Sequence, residues 1–477
     1  MTGDLARRLR GRVLSPAPPA WHRDFGRTRC RAPVAVVRPA DAADVAETLR
    51  YAARAGLRVA ARGHGCSSDG QSLSDGLVLD TSALAGCALG ADGTATLGAG
   101  IGWGAAHRRL AAAGAALPVV PSSEHATPGG TLSVGGYGPT SPFAGSLADA
   151  VESLDLVLGT GEVLRATPDG PYAEIFRYAL CGLGRIAVIV AARLRLGRHR
   201  PHLLLRHVTD DDPAAAGPGG ARSDRAGSGA AAGDDEVVRA ALRGDAGAAR
   251  AVLADGRWVL WRLARSTATG RWRTELGRPA DVGPPGAGPG DPAGAGPAAL
   301  GEEVVGDYPA RLFAAEAVFS DRIAAAQVAA GRLADPAAAR RVWGDFFVPI
   351  DRAPAFLAAL AELFPEPVHT PVWNSAILPA AVMRHRLPLS PMPHSALVRT
   401  VGVYSVVPPD RVNDYRDRFD RATALCHAAG GRQYLHGYHR GDADFLRAQF
   451  GAATIARWRA VKARCDPGGV LGPPPPL

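Results

Sequence analysis

Three glycine-rich stretches, each beside a short apolar run, fall within the first 200 residues: Gly63-His64-Gly65, Gly129-Gly130 to Gly135-Gly136, and Gly182-Leu183-Gly184. Glycine lets an anionic ligand approach the main chain with no Cβ in the way, so backbone N–H groups can reach it. One such loop is better explained by a tight turn. Three in one N-terminal unit point to a ligand carrying phosphates. None has the G-x-G-x-x-G spacing of a nicotinamide site or the G-x-x-x-x-G-K-[ST] of a nucleotide-phosphate loop, so a different dinucleotide fold is expected.

The elements between these loops alternate. Val34–Val37 reads as a strand, and Asp41 can cap a helix that runs through Arg54 and stops at Gly56. Leu57–Ala61, Gly76–Asp80 and Thr94–Gly98 read as strands and Gly104–Ala113 as a helix. Gly129–Gly145 reads as one long loop. Leu154–Leu158 and Glu162–Ala166 flank Gly159-Thr160-Gly161, a hairpin signature. The mixture says α+β or α/β. Beyond Arg200 the stretches 208–234 and 276–300 are rich in Ala, Gly, Pro, Asp and Ser without apolar periodicity and read as surface loops. Trp258–Trp261 and Phe346–Val348 read as strands of a second unit, and the last 50 or so residues hold a tyrosine-bearing strand and a final helix.

The formal charge of +9 invites a nucleic-acid partner, but its arginines are scattered, and Lys462 is the sole lysine. A backbone-tracking groove needs cations gathered with aromatics, so no nucleic-acid partner is expected. The six cysteines show no metal-type spacing, and no metal site is expected. No apolar run approaches the ~20 residues of a membrane helix. Without a secretory apolar segment near Met1, a cytoplasmic location with no membrane partner is expected.

The residues carry a resemblance. Ala61-Arg62-Gly63-His64-Gly65-Cys66-Ser67 is similar to the first FAD loop of cytokinin dehydrogenases, and Gly129-Gly130-Thr131-Leu132-Ser133-Val134-Gly135-Gly136 to their second. Glu174–Leu196, with Gly182-Leu183-Gly184, resembles a third segment. Trp343–Pro349, Arg432-Gln433-Tyr434-Leu435 and Trp458…Asp466-Pro467…Leu471 follow in the same order. The resemblance implies an α+β, two-lobed FAD-binding fold of the vanillyl-alcohol-oxidase type, with a substrate lobe built on a sheet covered by helices. Residues 1–200 and 431–477 would form the FAD lobe and 201–430 the substrate lobe. It places backbone contacts to FAD on Arg62, Gly63, His64, Gly65 and Cys66. Further contacts fall on Ser67, Gln71, Thr127, Ser133, Gly136, Val188, Ile189 and Tyr434, with Gly129, Gly130, Thr131, Gly135, Gly182 and Gly184 in the loops. Gly136 is expected to keep the pyrophosphate path clear.

Three departures bear on chemistry. Cys66 stands where the family's flavin-linking histidine would be, leaving non-covalent FAD, a Cys66 thioether and a shifted link through His64 as readings. Ser122 stands where the family has its aspartate base; a serine hydroxyl is a very poor base, so Glu124 or His125 is expected to accept the proton. Thr140-Ser141-Pro142-Phe143-Ala144-Gly145 replaces a more polar run and is expected to dry the flavin's surroundings, and Pro475 stands at the position of a terminal glutamine. His436 and His439 read as solvent-facing loop residues. The reaction implied is hydride removal from a C–H beside nitrogen or oxygen of a small molecule, with dioxygen or another acceptor reoxidising the flavin. The alternative is a non-redox cyclase or isomerase of natural-product biosynthesis that keeps FAD as a structural group.

Overall fold

Asp41 accepts a hydrogen bond from the Asp44 N–H and so starts the helix Ala42–Ala55, which ends at Gly56 with φ +65°. This helix covers a four-stranded sheet ordered Arg12–Leu14, Ala35–Arg38, Leu77–Asp80, Val59–Arg62, whose last three strands are parallel. Val45, Leu49 and Ala52 meet Ala35, Val37, Leu77 and Leu79 in its core. The computed structural model describes residues 2–119, 121–210, 229–280, 302–317 and 319–472.

A second, antiparallel sheet runs Cys87–Leu89, Thr94–Gly98, Ala187–Arg195, Val151–Leu158, Val163–Ala166, and includes the expected hairpin. The third sheet is antiparallel and has eight strands: Glu302–Gly306, His202–Thr209, Trp272–Pro279, Leu260–Ser266, Val372–Pro379, Leu397–Val407, Arg340–Pro349, Arg432–Tyr434. Alternation along Arg340–Pro349 sorts its side chains. Val342, Phe346 and Val348 pack under the helices Ala353–Leu363 and Val412–Ala428, through Phe356, Leu360, Tyr415 and Phe419. Burying each such large apolar side chain is worth about 1.5–3 kcal/mol. Trp343, Asp345 and Phe347 face the other way.

Several expectations are corrected. Gly129–Gly145 is not one loop: Thr127 caps a short helix, Pro128–Leu132, and a second helix spans Ser141–Ala144. Proline in the first turn, at the first position in one helix and the second in the other, favours both starts. The stretch 208–234 begins inside the strand His202–Thr209 and ends inside the helix Gly229–Leu242. Residues 276–279 belong to the strand Trp272–Pro279. The rest of 208–234 and of 276–300 lies outside the described residues, apart from Asp210 and Ala280 at their edges, as does Pro475. The strand expected at Trp258 starts at Leu260. Arg432–Tyr434 pairs with Phe347, Phe346 and Asp345 and so completes the eight-stranded sheet, whereas Leu471 bridges to Val59 at the edge of the first one. The described part of 431–477 thus contributes to both regions.

Candidate active site

A cavity of about 950 Å³ lies between the glycine loops and the eight-stranded sheet. That is near the upper end of the roughly 300–1,000 Å³ usual for ligand sites. Arg62, Gly63, His64, Gly65, Cys66, Ser67 and Gln71 line it from the first loop, and Thr127, Gly129, Gly130, Thr131, Ser133 and Gly136 from the second. Gly184, Val188, Ile189 and Tyr434 complete the expected set, and Ser122, Glu124 and His125 also reach the wall. Gly135 and Gly182 do not line it: a side chain at Gly135 would meet Cys181 and Tyr137, and one at Gly182 would meet the Tyr178 carbonyl.

The polar side chains of these loops are mostly spent on the chain itself. Ser133 Oγ donates to the Gly129 carbonyl at 2.7 Å, and Thr131 Oγ1 accepts from Trp103 Nε1 at 2.8 Å. Gln71 donates to the Gly437 carbonyl at 2.7 Å and accepts from the Asp69 N–H at 3.0 Å, tying the first loop to a distant segment. Tyr434 accepts from the Gly136 N–H at 3.2 Å, and burial pushes its phenol far above the ordinary value. The main chain is different. Among the described residues, the N–H groups of His64, Gly65, Cys66 and Ser67 donate to no acceptor in the chain. Four open donors beside a cavity suit an anion.

Arg62 lies behind them, its guanidinium over the Trp21 ring at 5.1 Å and donating to the Arg23 carbonyl at 3.1 Å. Burial lowers its pKa, while Asp24 and Asp80 favour its charge. These residues fit a dinucleotide pyrophosphate. The expected role of Gly136 is corrected: at φ +79° a side chain there would strike Thr131 and Leu147 rather than enter the cavity. A Cβ at Gly63 would fall 2.2 Å from Thr127 Oγ1, so this glycine too serves close loop packing. Phe143 packs against the core around Trp261 and Ile377 and does not line the cavity, so it does not dry the site.

Burial pushes the Cys66 thiol up, against a hydrogen bond with Ser123 and the charge of Arg62. The His64 ring stacks on His125 at 4.6 Å, and its desolvation, helped by His125 and Arg62, lowers its pKa. Ser122 is exposed. The Glu124 carboxylate lies over the first turn of the helix Trp103–Ala112 and 3.4 Å from His125 Nε2, with its side chain 34% exposed.

The opposite wall escaped the residue-by-residue reading. Trp343, Asp345, Phe347, Asn374, Ala376, Thr400 and Tyr404 line it from three neighbouring strands. Asp345 accepts from the Tyr404 hydroxyl at 2.7 Å, and His436 Nε2 lies 3.4 Å from its other oxygen. Burial raises the Asp345 pKa, against His436 and Tyr404. His436 faces Asp345, and His439 is buried with neither ring nitrogen paired, so the expectation of solvent-facing histidines is corrected. A charged residue inside the apolar run Val342–Val348 was the signal available.

Comparison with known proteins bears on the loop wall. Residues 33–167 match the FAD binding domain family. An uncharacterized oxidoreductase from the fasciation locus of Rhodococcoides fascians is 38% identical over 174 residues, 36% of this chain and 40% of the relative. Cytokinin dehydrogenase 2 of Arabidopsis thaliana is 34% identical over 183 residues, 37% of this chain and 36% of that protein. Cytokinin dehydrogenase 9 of Oryza sativa subsp. japonica is 33% identical over 182 residues, 36% and 35% of the two chains. The chain therefore matches two fifths or less of the length of these relatives. Among the described residues, no helix is long and apolar enough to cross a membrane. With its first two glycine loops inside the matched segment, the chain carries an FAD binding domain over residues 33–167 and is similar, over little more than a third of its length, to an oxidoreductase and to cytokinin dehydrogenases.

Proposed function

We propose that the protein is an FAD-dependent oxidoreductase that removes hydride from a carbon next to nitrogen or oxygen in a small organic donor. When bound, FAD supplies the two-electron acceptor. The observation that carries this reading is the pairing of walls: open main-chain N–H groups on one side of the cavity, and aromatic, hydroxyl and carboxyl side chains on the other. His64–Ser67 would hold the pyrophosphate, Val188 and Ile189 would pack against the cofactor, and the sheet wall would hold the donor. On this partition the described residues up to 200, with 466–472, form the cofactor lobe, and the described residues from 201 to 434 the donor lobe.

We also propose that FAD binds without a covalent link. A protonated, desolvated thiol is a poor nucleophile, and the desolvation of half-buried Cys66 favours that form. The test is the visible spectrum of purified protein, then acid precipitation, then anaerobic mixing with benzylic and allylic amines and alcohols. Yellow protein, flavin in the supernatant and bleaching by a donor are expected. Conversion of a donor with no bleaching sinks the redox reading; flavin pelleting with the polypeptide sinks the non-covalent one.

A further inference from the structure

We infer that Asp345 is the proton acceptor of this site, on the sheet wall rather than on the loop that carries Ser122, Glu124 and His125. This rests on the oxidoreductase reading. Asp345 is 9% exposed, lines the cavity, and keeps Oδ2 without a hydrogen bond in the chain. An unsatisfied carboxylate oxygen costs free energy when buried, unless a ligand completes it. Two neighbours on the same wall, Trp343 Nε1 and His436 Nδ1, are likewise buried and unpaired. The three atoms offer one acceptor and two nitrogen sites to whatever occupies that end of the cavity.

The neighbourhood is built around this carboxylate. Strand pairing sets Asp345 opposite Gly402 on one side and Tyr434 on the other. A Cβ at Gly402 would fall 2.4 Å from Asp345 Oδ1 and 2.5 Å from the Tyr404 hydroxyl, so glycine is what lets that hydrogen bond form. Tyr404 and His436 are positioning residues: one fixes Oδ1, the other faces Oδ2. The titratable groups facing Asp345 are thus Tyr404, Tyr434 and His436, and the last can offset its charge.

In the step, the donor's C–H hydrogen leaves with both electrons of its bond, FAD being the oxidant that is reduced. The adjacent O–H or N–H bond breaks, its electron pair becomes the second bond of C=O or C=N, and its proton goes to Asp345 Oδ2. The donor class is an alcohol or a neutral amine, not a quaternary ammonium, which has no proton to give.

Asp345→Asn keeps the shape and removes the base. It is expected to hold FAD as wild type does and to be reduced about 10²–10⁴-fold more slowly by a benzylic amine or alcohol that bleaches the wild type. A second readout needs no donor: the visible band of the oxidised protein should shift with pH, with a midpoint above the ordinary carboxylate range. That shift should vanish in Asp345→Asn and move to higher pH in Tyr404→Phe, which loses the hydrogen bond favouring the charged form. An Asp345→Asn protein reduced at the wild-type rate, or titrating as wild type does, overturns the inference. Donor conversion without bleaching in the wild type would instead count against the redox reading, while the titration still decides whether Asp345 ionises beside the flavin.

Discussion

The two walls of the cavity recognise in opposite ways. The loop wall binds its own side chains and leaves the main chain of its first loop open: Ser133, Thr131 and Gln71 are occupied, while the His64–Ser67 N–H groups are free. The sheet wall spends its main chain on strand pairing and leaves side-chain atoms open at Trp343, Asp345 and His436. A wall that recognises through backbone tolerates side-chain exchange, so cysteine can stand at position 66 without losing the cradle. A wall that acts through side chains does not. Cofactor binding and chemistry are therefore separable by mutation.

The largest effect should come from filling the close packing of the loop wall. Gly136→Val puts a branched side chain at φ +79° against Thr131 and Leu147. Strain and overpacking together should cost on the order of 3–5 kcal/mol, read as lost soluble yield or a lowered denaturation midpoint. A soluble Gly136→Val protein of wild-type stability would show that this wall is not rigid. Next, Asp345→Asn should lower the rate of flavin reduction by ~3–5 kcal/mol in activation free energy with FAD occupancy kept, whereas Glu124→Gln should change the rate by less than about tenfold. The reverse ranking would move the chemistry to the loop wall.

The loop wall also holds a buried carboxyl, Asp24, which accepts from the Thr28 and Arg29 N–H groups and whose pKa burial raises to about 6. Its folded pKa lies above the unfolded value of ~3.9, so the folded state binds the proton more tightly. The resulting stability is complete below pH ~4 and is lost as pH rises through about 6, a fall of roughly 2–3 kcal/mol. Unfolding midpoints across that range should show the slope, and Asp24→Asn should flatten it. A smaller change is expected from Gly184→Ala: φ is +69° with nothing within 4 Å, so the cost is the left-handed backbone alone, about 1–2 kcal/mol. Smallest of all, Cys66→Ala should leave FAD bound and release it on denaturation, at about 1 kcal/mol of stability.

How far the sequence could be read follows the same division. The strand, cap and glycine signals around Asp41, Gly56 and the three loops act over a few residues, so the loop wall of the cavity was visible in the chain. What the glycines do was not: Gly136 and Gly63 reserve space for Thr131, Leu147 and Thr127, contacts that only the folded loops define. Trp343–Pro349 was visible as a strand, but its cavity face depends on Asp345 lying between Gly402 and Tyr434, pairings that span long stretches of chain. The helices in Gly129–Gly145 were hidden because proline starts and a threonine cap outweigh glycine's poor propensity over so few residues.

The bridge between Val59 and Leu471 has a further consequence. Val59 donates to the Val470 carbonyl and accepts from the Gly472 N–H, while buried Asp466 collects the Val470 and Leu471 N–H groups and the ammonium of Lys462. The edge of the first sheet is thus closed by residues made long after the strand they complete. During synthesis, the strand Val59–Arg62 must wait, open along one side, while all the residues up to Val470 are still being added. The cofactor loop that follows it hangs from that same unfinished edge. A ribosome-bound chain arrested before Asp466 should therefore hold FAD poorly, although every glycine loop has already emerged.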